Sequence, residues 1–340
     1  MGFVIGSHVV VEAAGLRFFQ PAADDTVRML EVFRASGRRV DVALLGSSRM
    51  RRAITVTTFA KELERSLGRP VTAFNFGMQG GIMTTYYILV RDLLDGEQRP
   101  ELIVLGLGVR SFNSNTPRYA RTVRHLLGPG DLFDDLGPRL LDGDEIGAVP
   151  LLLVRAPSSI LQLWRKLMPD QKAFAQDVLR RGGSFYDPVA PRPAPPDPSS
   201  AEARDHRQSL VEKTRARASY VRRTLLASFT VKGRATTAMA RLVELTRERD
   251  VGLLVVNLPV TEAFAAAAYD TGAYELYLDH LSSGCKRAGV RFVDLNTAVY
   301  RPDPFYFGDG EYLRDIGAVY FSRRVARDVV APELARRSSR

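Results

Sequence analysis

Residues 41–50, DVALLGSSRM, place a pair of serines where a hydroxyl can do chemistry. Val42, Ala43, Leu44 and Leu45 form a continuous apolar run, the pattern of a strand buried on both faces of a parallel sheet. Gly46 breaks the run, Ser47 and Ser48 follow, and residues 49–69 have helical spacing that ends at Gly68 with Pro70 close behind. A serine on such a turn sits at the carboxyl edge of the sheet, with its hydroxyl exposed and helix-start amides facing developing negative charge. That arrangement suits nucleophilic attack on an ester. The competing use is structural, since Ser47 or Ser48 can equally cap the helix.

A second candidate lies at residues 75–81, NFGMQGG, where Gly77, Gly80 and Gly81 let the backbone turn tightly or approach a ligand. Other reactive side chains are sparse. The four histidines are His8, His125, His206 and His280, and no two have metal-ligand spacing, so no metal is expected. The single cysteine, Cys285, excludes an internal disulfide framework and reads as a buried structural thiol. His280 falls in a helical pattern, where a structurally satisfied imidazole is the simpler reading. His125 and His206 reach the serine only if the region around them folds over it.

The elements that must position these groups alternate in type. Residues 24–35 have helical spacing, followed by the serine-bearing strand and its helix. Strands are expected at 71–76 and 102–107, with a helix over 83–95 between them. After an irregular stretch come a helix over 235–248, a strand over 251–258, a helix over 271–288, a strand over 290–295 and a last helix near 316–330. This rhythm predicts an α/β fold: a three-layer α/β/α sandwich around a doubly wound, flavodoxin-like parallel sheet of about five strands. Residues 113–232 break the rhythm, with helical pieces at 160–167 and 171–181 and the proline-rich run 187–200, DPVAPRPAPPDPSS. The expected organisation is an N-terminal apolar segment and helix over 1–39, an α/β domain from 40–112 and 233–335, and a helical, partly proline-rich insertion over 113–232.

Residues 3–19, FVIGSHVVVEAAGLRFF, are apolar but too short for a full bilayer span. They lack a signal peptide's basic start and cleavage site, and read as an anchor remnant or a helix packed on the domain, with the anchor favoured. The net charge of +10 comes from 48 Lys and Arg against 38 Asp and Glu. No basic run is interleaved with aromatics, so an Arg-rich solvated surface is expected and nucleic acid is not. Attraction to an anionic membrane or polysaccharide is the secondary reading. A dinucleotide-binding domain is disfavoured, because residues 77–81 do not form G-x-G-x-x-G after a first strand.

Taken in order, these blocks resemble the SGNH (GDSL-type) hydrolase superfamily, and more closely its bacterial envelope-associated branch, whose first block reads Gly-Ser-Ser. The resemblance covers roughly residues 40–112 and 250–330. It implies Ser48 as nucleophile, with its own N–H and that of Gly80 as oxyanion donors, and Gly108 opening the third block. Arg110 stands where the family's oxyanion asparagine is expected; a guanidinium can donate there or bind a substrate carboxylate or phosphate. The final block, Asp-x-x-His in the family, reads Asp309-Gly310-Glu311-Tyr312, so Tyr312 occupies the position of the base. Histidine suits proton removal near neutrality, and tyrosine ordinarily does not. Phe305, Tyr306, Phe307 and Tyr312 offer rings that stack on sugars or pack the last helix against the sheet.

Two functions follow from the resemblance. One is a serine esterase or O-acyltransferase with altered catalytic machinery, acting on an acylated glycan, a small ester or a cell-envelope polymer. The other is a non-catalytic relative that binds a glycan or an envelope assembly partner. No cofactor is implied. Placement at the bacterial cell envelope is favoured over the cytoplasm, with membrane association through the N-terminus.

Overall fold

In the computed structural model, residues 25–96, 99–115, 169–186, 200–269 and 272–338 are described. The expected helix at 160–167, most of the proline-rich run, the N-terminal apolar segment, His8 and His125 lie outside them. The elements in order are α1 (Asp25–Ala35), β1 (Val42–Gly46), α2 (Ser48–Ala53), α3 (Val56–Leu67), β2 (Ala73–Asn75), α4 (Met83–Leu94) and β3 (Leu102–Leu107). Then follow α5 (Pro169–Arg181), α6 (Ala201–Tyr220), α7 (Arg234–Glu248), β4 (Gly252–Asn257), α8 (Glu262–Ala268) and α9 (Ala273–Ala288). The chain ends with β5 (Arg291–Asp294), α10 (Asp315–Val325) and α11 (Ala331–Ser338).

The sheet is five-stranded, in the order β2-β1-β3-β4-β5, and every pairing is parallel. From β1 the chain winds outward to β2 and then crosses back to β3 on the other side. The order therefore reverses at β1 and β3, the place where open sheets leave a crevice beyond their carboxyl ends. Side chains alternate strictly between two cores, as the two-residue period of a strand demands. Val42, Leu44, Leu102, Val104, Leu254 and Val256 face α3, α10 and α11. Ala43, Leu45, Ile103, Leu105, Leu253 and Val255 face α1, α4, α7 and α9. Both faces are covered, so the three-layer α/β/α sandwich is the observed architecture, and it explains why these strands read as unbroken apolar runs.

Two expected boundaries differ, each for a tertiary reason. The single helix over 49–69 is two, separated at Ile54 and Thr55. At the break the Thr55 N–H donates to Ser322 Oγ (2.8 Å), the Val56 N–H to Ser184 Oγ (2.8 Å), and Asn75 Nδ2 to the Met50 carbonyl (3.2 Å). The two serine hydroxyls thus accept from the amides that the break leaves without helical partners, and Asn75 reinforces the end of α2. The single helix near 316–330 is α10, a wide π-type turn at Ala326–Val330, and α11, which continues to Ser338. Among the described residues no helix is long and apolar enough to cross a membrane.

Candidate functional site

Gly46 ends β1 in a position no larger residue fits, because a Cβ there would press on the Gly106 carbonyl and on Met50. The chain turns at once into α2, and the two serines take different duties. Ser47 caps the helix, its Oγ accepting from the Arg49 N–H at 3.2 Å. Ser48, the first helical residue, turns its hydroxyl into a cavity of about 380 Å³ at the carboxyl edge of the sheet. Ser47 also pairs with Met78 in an isolated parallel bridge, and the Met78 N–H donates to the Gly46 carbonyl at 2.8 Å. That pairing lays the 77–81 turn beside the serine and puts Gly80 on the cavity wall.

Opposite Ser48 stands Tyr312, its phenolic oxygen 2.8 Å from Ser48 Oγ, although 264 residues separate them in sequence. The loop that carries Tyr312 is built for rigidity. Phe307 and Leu313 bridge in antiparallel fashion, the Gly308 N–H donates to the Tyr312 carbonyl (2.8 Å), and Asp309 Oδ1 accepts from the N–H groups of Glu311 (3.1 Å) and Tyr312 (2.9 Å). Asp309 lines the cavity, and its carboxylate organises Tyr312 through the backbone amide.

Two guanidinium groups lie against the Tyr312 ring. Arg52 sits 4.8 Å from its centroid and Arg217 5.5 Å, with Arg217 Nη2 also 3.4 Å from the phenolic oxygen. Beneath them Glu311, with a fully buried side chain, is clamped from both sides. Arg217 Nε donates to Oε2 at 2.7 Å, and Arg110 donates to Oε1. Burial alone would push the Glu311 carboxyl up, but Arg110, Arg49 and Arg217 together hold it below the usual carboxylate range. The same partnership outweighs the desolvation of Arg110 and raises its pKa.

Arg110 faces two ways. It lines the cavity, but the carboxylate it binds is the protein's own. Arg49 is nearly buried, with Nη2 donating to the carbonyls of Leu258 (2.7 Å) and Pro259 (3.0 Å) beyond β4. Its guanidinium crosses the front of Gly108, where a Cβ would collide with Nη1. This is what the glycine opening the third block makes room for.

Neither described histidine reaches the serine. His206 Nε2 lies 3.1 Å from the Phe307 carbonyl and its ring meets Phe305; burial and Arg314 lower its pKa. His280 is on α9, with Nε2 3.2 Å from Thr236 Oγ1 and its ring edge-on to Phe112. Among the described residues no His, Cys, Asp and Glu cluster has the makings of a metal site. The structure thus brings Ser48, Gly80, Arg110, Asp309 and Tyr312 to one cavity; it adds Arg49, Arg52 and Arg217 to the lining, with buried Glu311 holding Arg110 and Arg217, and sequence reasoning singled out none of these four. Arg52 was within reach of that reasoning, because it lies four residues after Ser48 on the same helical face. Arg217 was not, since α6 carries charge on all sides.

No protein-family model matches the chain, and no curated protein does. Among solved structures, a gut microbial diltiazem-metabolizing enzyme is similar in outline, with 10% identity, a TM-score of 0.37, and coverage of 85% of this chain and 47% of that one. The chain spans just under half the length of that structure, and a likeness of this degree carries no argument about chemistry.

Proposed function

We propose that the cavity is the active site of an SGNH-type serine esterase or O-acyltransferase with altered machinery. The acylated carbohydrate or envelope polymer taken as substrate, and the envelope location, rest on the sequence resemblance. The observation that carries the reading is the 2.8 Å contact between Ser48 Oγ and the Tyr312 hydroxyl at the floor of a polar cavity. In acyl transfer, Ser48 Oγ bonds to the ester carbonyl carbon while the Tyr312 hydroxyl takes the serine proton and hands its own phenolic proton on to the leaving alcohol oxygen, so the tyrosine ends neutral. The carbonyl oxygen becomes an oxyanion facing the N–H groups of Ser48 and Gly80. Collapse breaks the ester C–O bond, expels the alcohol with the relayed proton and leaves an acyl-serine for water or a second hydroxyl to attack. Histidine is the side chain that ordinarily accepts a proton at neutral pH, and none stands at this serine among the described residues. Slow turnover is the consequence.

Hydrolysis of a chromogenic acetyl ester, lost in Ser48→Ala with the circular dichroism unchanged, is the required result. Tyr312→His is expected to raise the rate at least tenfold if the remaining machinery is intact. The replacement of the expected base by Tyr312 also favours a second reading, a binding relative that retains the cleft for a glycan or an assembly partner. Saturable glycan binding that is indifferent to Ser48→Ala, with no ester hydrolysis, would select it.

A further inference from the structure

The cavity carries more positive charge than its own carboxylates balance. Arg49, Arg52, Arg110 and Arg217 all line it, against Asp309 on its wall and Glu311 beneath. Glu311 occupies Arg110 and Arg217, and Asp309 Oδ1 accepts from two backbone amides. Among the described residues neither of the other two guanidinium groups has a carboxylate within ion-pair distance, although Arg49 also helps to hold Glu311 ionised from further away. Arg49 has only Nη2 engaged, and its buried Nε has no acceptor there. Arg52 contacts two rings, 4.3 Å from the centroid of Phe185 and 4.8 Å from that of Tyr312.

Stacking of this kind uses the faces of the guanidinium plane and leaves the N–H donors on its edge for hydrogen bonds. It also fixes the side chain in one orientation, so little conformational freedom is left to lose when a ligand binds. Ser48 and Arg52 are four residues apart on α2, and Arg49 and Arg52 three apart, so the hydroxyl and both cations belong to neighbouring positions on one short helix. A partly desolvated cation with open donors is costly to leave unpaired, and an oxyanion removes that cost.

From this geometry we infer that the cavity takes an anionic substrate: an acylated molecule that also bears a carboxylate or phosphate group, which Arg52 grips at the rim with Arg49 reinforcing it below. The inference rests on the cavity being a substrate site and names what it selects. It also reassigns anion recognition from Arg110, which Glu311 already holds, to the two arginines of α2.

The test is titration calorimetry on full-length Ser48→Ala protein with three probes: succinate, inorganic phosphate and the neutral analogue succinamide. Saturable binding of succinate or phosphate, with none of succinamide, is expected. The tighter of the two anions distinguishes a carboxylate-bearing from a phosphate-bearing substrate. Arg52→Gln in the same background is expected to raise the Kd for that anion at least fivefold. If Arg52→Gln does not fold, Arg52→Lys keeps the charge and loses the planar fork, and is expected to raise the Kd at least threefold. Absence of saturable binding for both anions, equal binding of succinamide, or a smaller change in the folded variant overturns the inference. Because these measurements read binding in a chain without the Ser48 hydroxyl, they can fail while Ser48-dependent ester hydrolysis succeeds, and the reverse.

Discussion

Two depressions in this molecule invite opposite readings. One, at the carboxyl edge of the sheet, holds Ser48, Tyr312 and a set of arginines. The other is an apolar groove between α7 and α9, lined by Met239, Val243 and Leu281, and it contains both His280 and Cys285. By residue type the groove is richer in reactive chemistry. By geometry it is not. Its imidazole meets a threonine hydroxyl and an aromatic edge, and burial lowers its pKa; its thiol has no charged partner among the described residues, and burial pushes it up to about 11. At the sheet edge, each side chain that meets the serine is fixed by a second partner. What separates a site from a hollow here is convergence of oriented groups, not the presence of a histidine.

The sharpest way to break that contrast is at the buried carboxylate that ties the polar cavity together. Glu311→Ala leaves Arg110 and Arg217 facing each other without a counter-ion, and should cost ~3–5 kcal/mol in chemical denaturation. Its pH behaviour has a definite sign. The folded carboxyl titrates below its unfolded value because the arginines outweigh burial. Its stabilisation is therefore complete above the unfolded value of about 4.3 and drains away as pH falls through the folded one. Glu311→Gln should flatten that part of the acid-unfolding curve. An unchanged curve would mean that the clamp does not hold the cavity.

A smaller effect is expected where the serine leaves the strand. Gly46 has φ of +153° and its missing Cβ faces the Gly106 carbonyl and Met50. Gly46→Ala should destabilise the protein by about 3 kcal/mol through strain and overpacking, and should separate β1 from β3 at the point that sets Ser48. The Ser48→Ala change, by comparison, should leave the denaturation midpoint nearly unmoved, because Ser48 is only partly buried and Ser47 does the capping.

These sites differ in how far they could be read in the sequence, and the difference is one of interaction range. Strands β1 and β3 were legible because both faces are buried, which leaves continuous apolar runs such as Leu102–Leu107. The Gly68 stop was legible because it is a left-handed cap, a local property. The break between α2 and α3 depends on hydroxyls of Ser322 and Ser184, which no local window contains, although the β-branched run Ile54, Thr55, Val56 weakens the helix there. The convergence of Ser48, Gly80, Arg110, Asp309 and Tyr312 followed from the order of short blocks. The part Arg217 and Glu311 play did not, because an ion pair spanning 94 residues leaves no periodic trace.

The apolar groove supplies the weakest and most discriminating perturbations. His280→Ala removes one hydrogen bond to Thr236 and one edge contact with Phe112, a loss of about 1 kcal/mol in stability. Any Ser48-dependent hydrolysis should stay within twofold of the parent protein. Cys285 gives a second reading of the same groove. With its thiol raised to about 11, only roughly one molecule in a thousand is thiolate at pH 8. Labelling by a disulfide reagent should therefore be slow at pH 8 and accelerate about tenfold for each pH unit up to 10, as the thiolate population grows. Rapid labelling at pH 8, or loss of hydrolysis in His280→Ala, would move the chemistry into the groove and reverse the comparison. Slow, pH-driven labelling with hydrolysis intact would leave the groove as packing and the comparison standing.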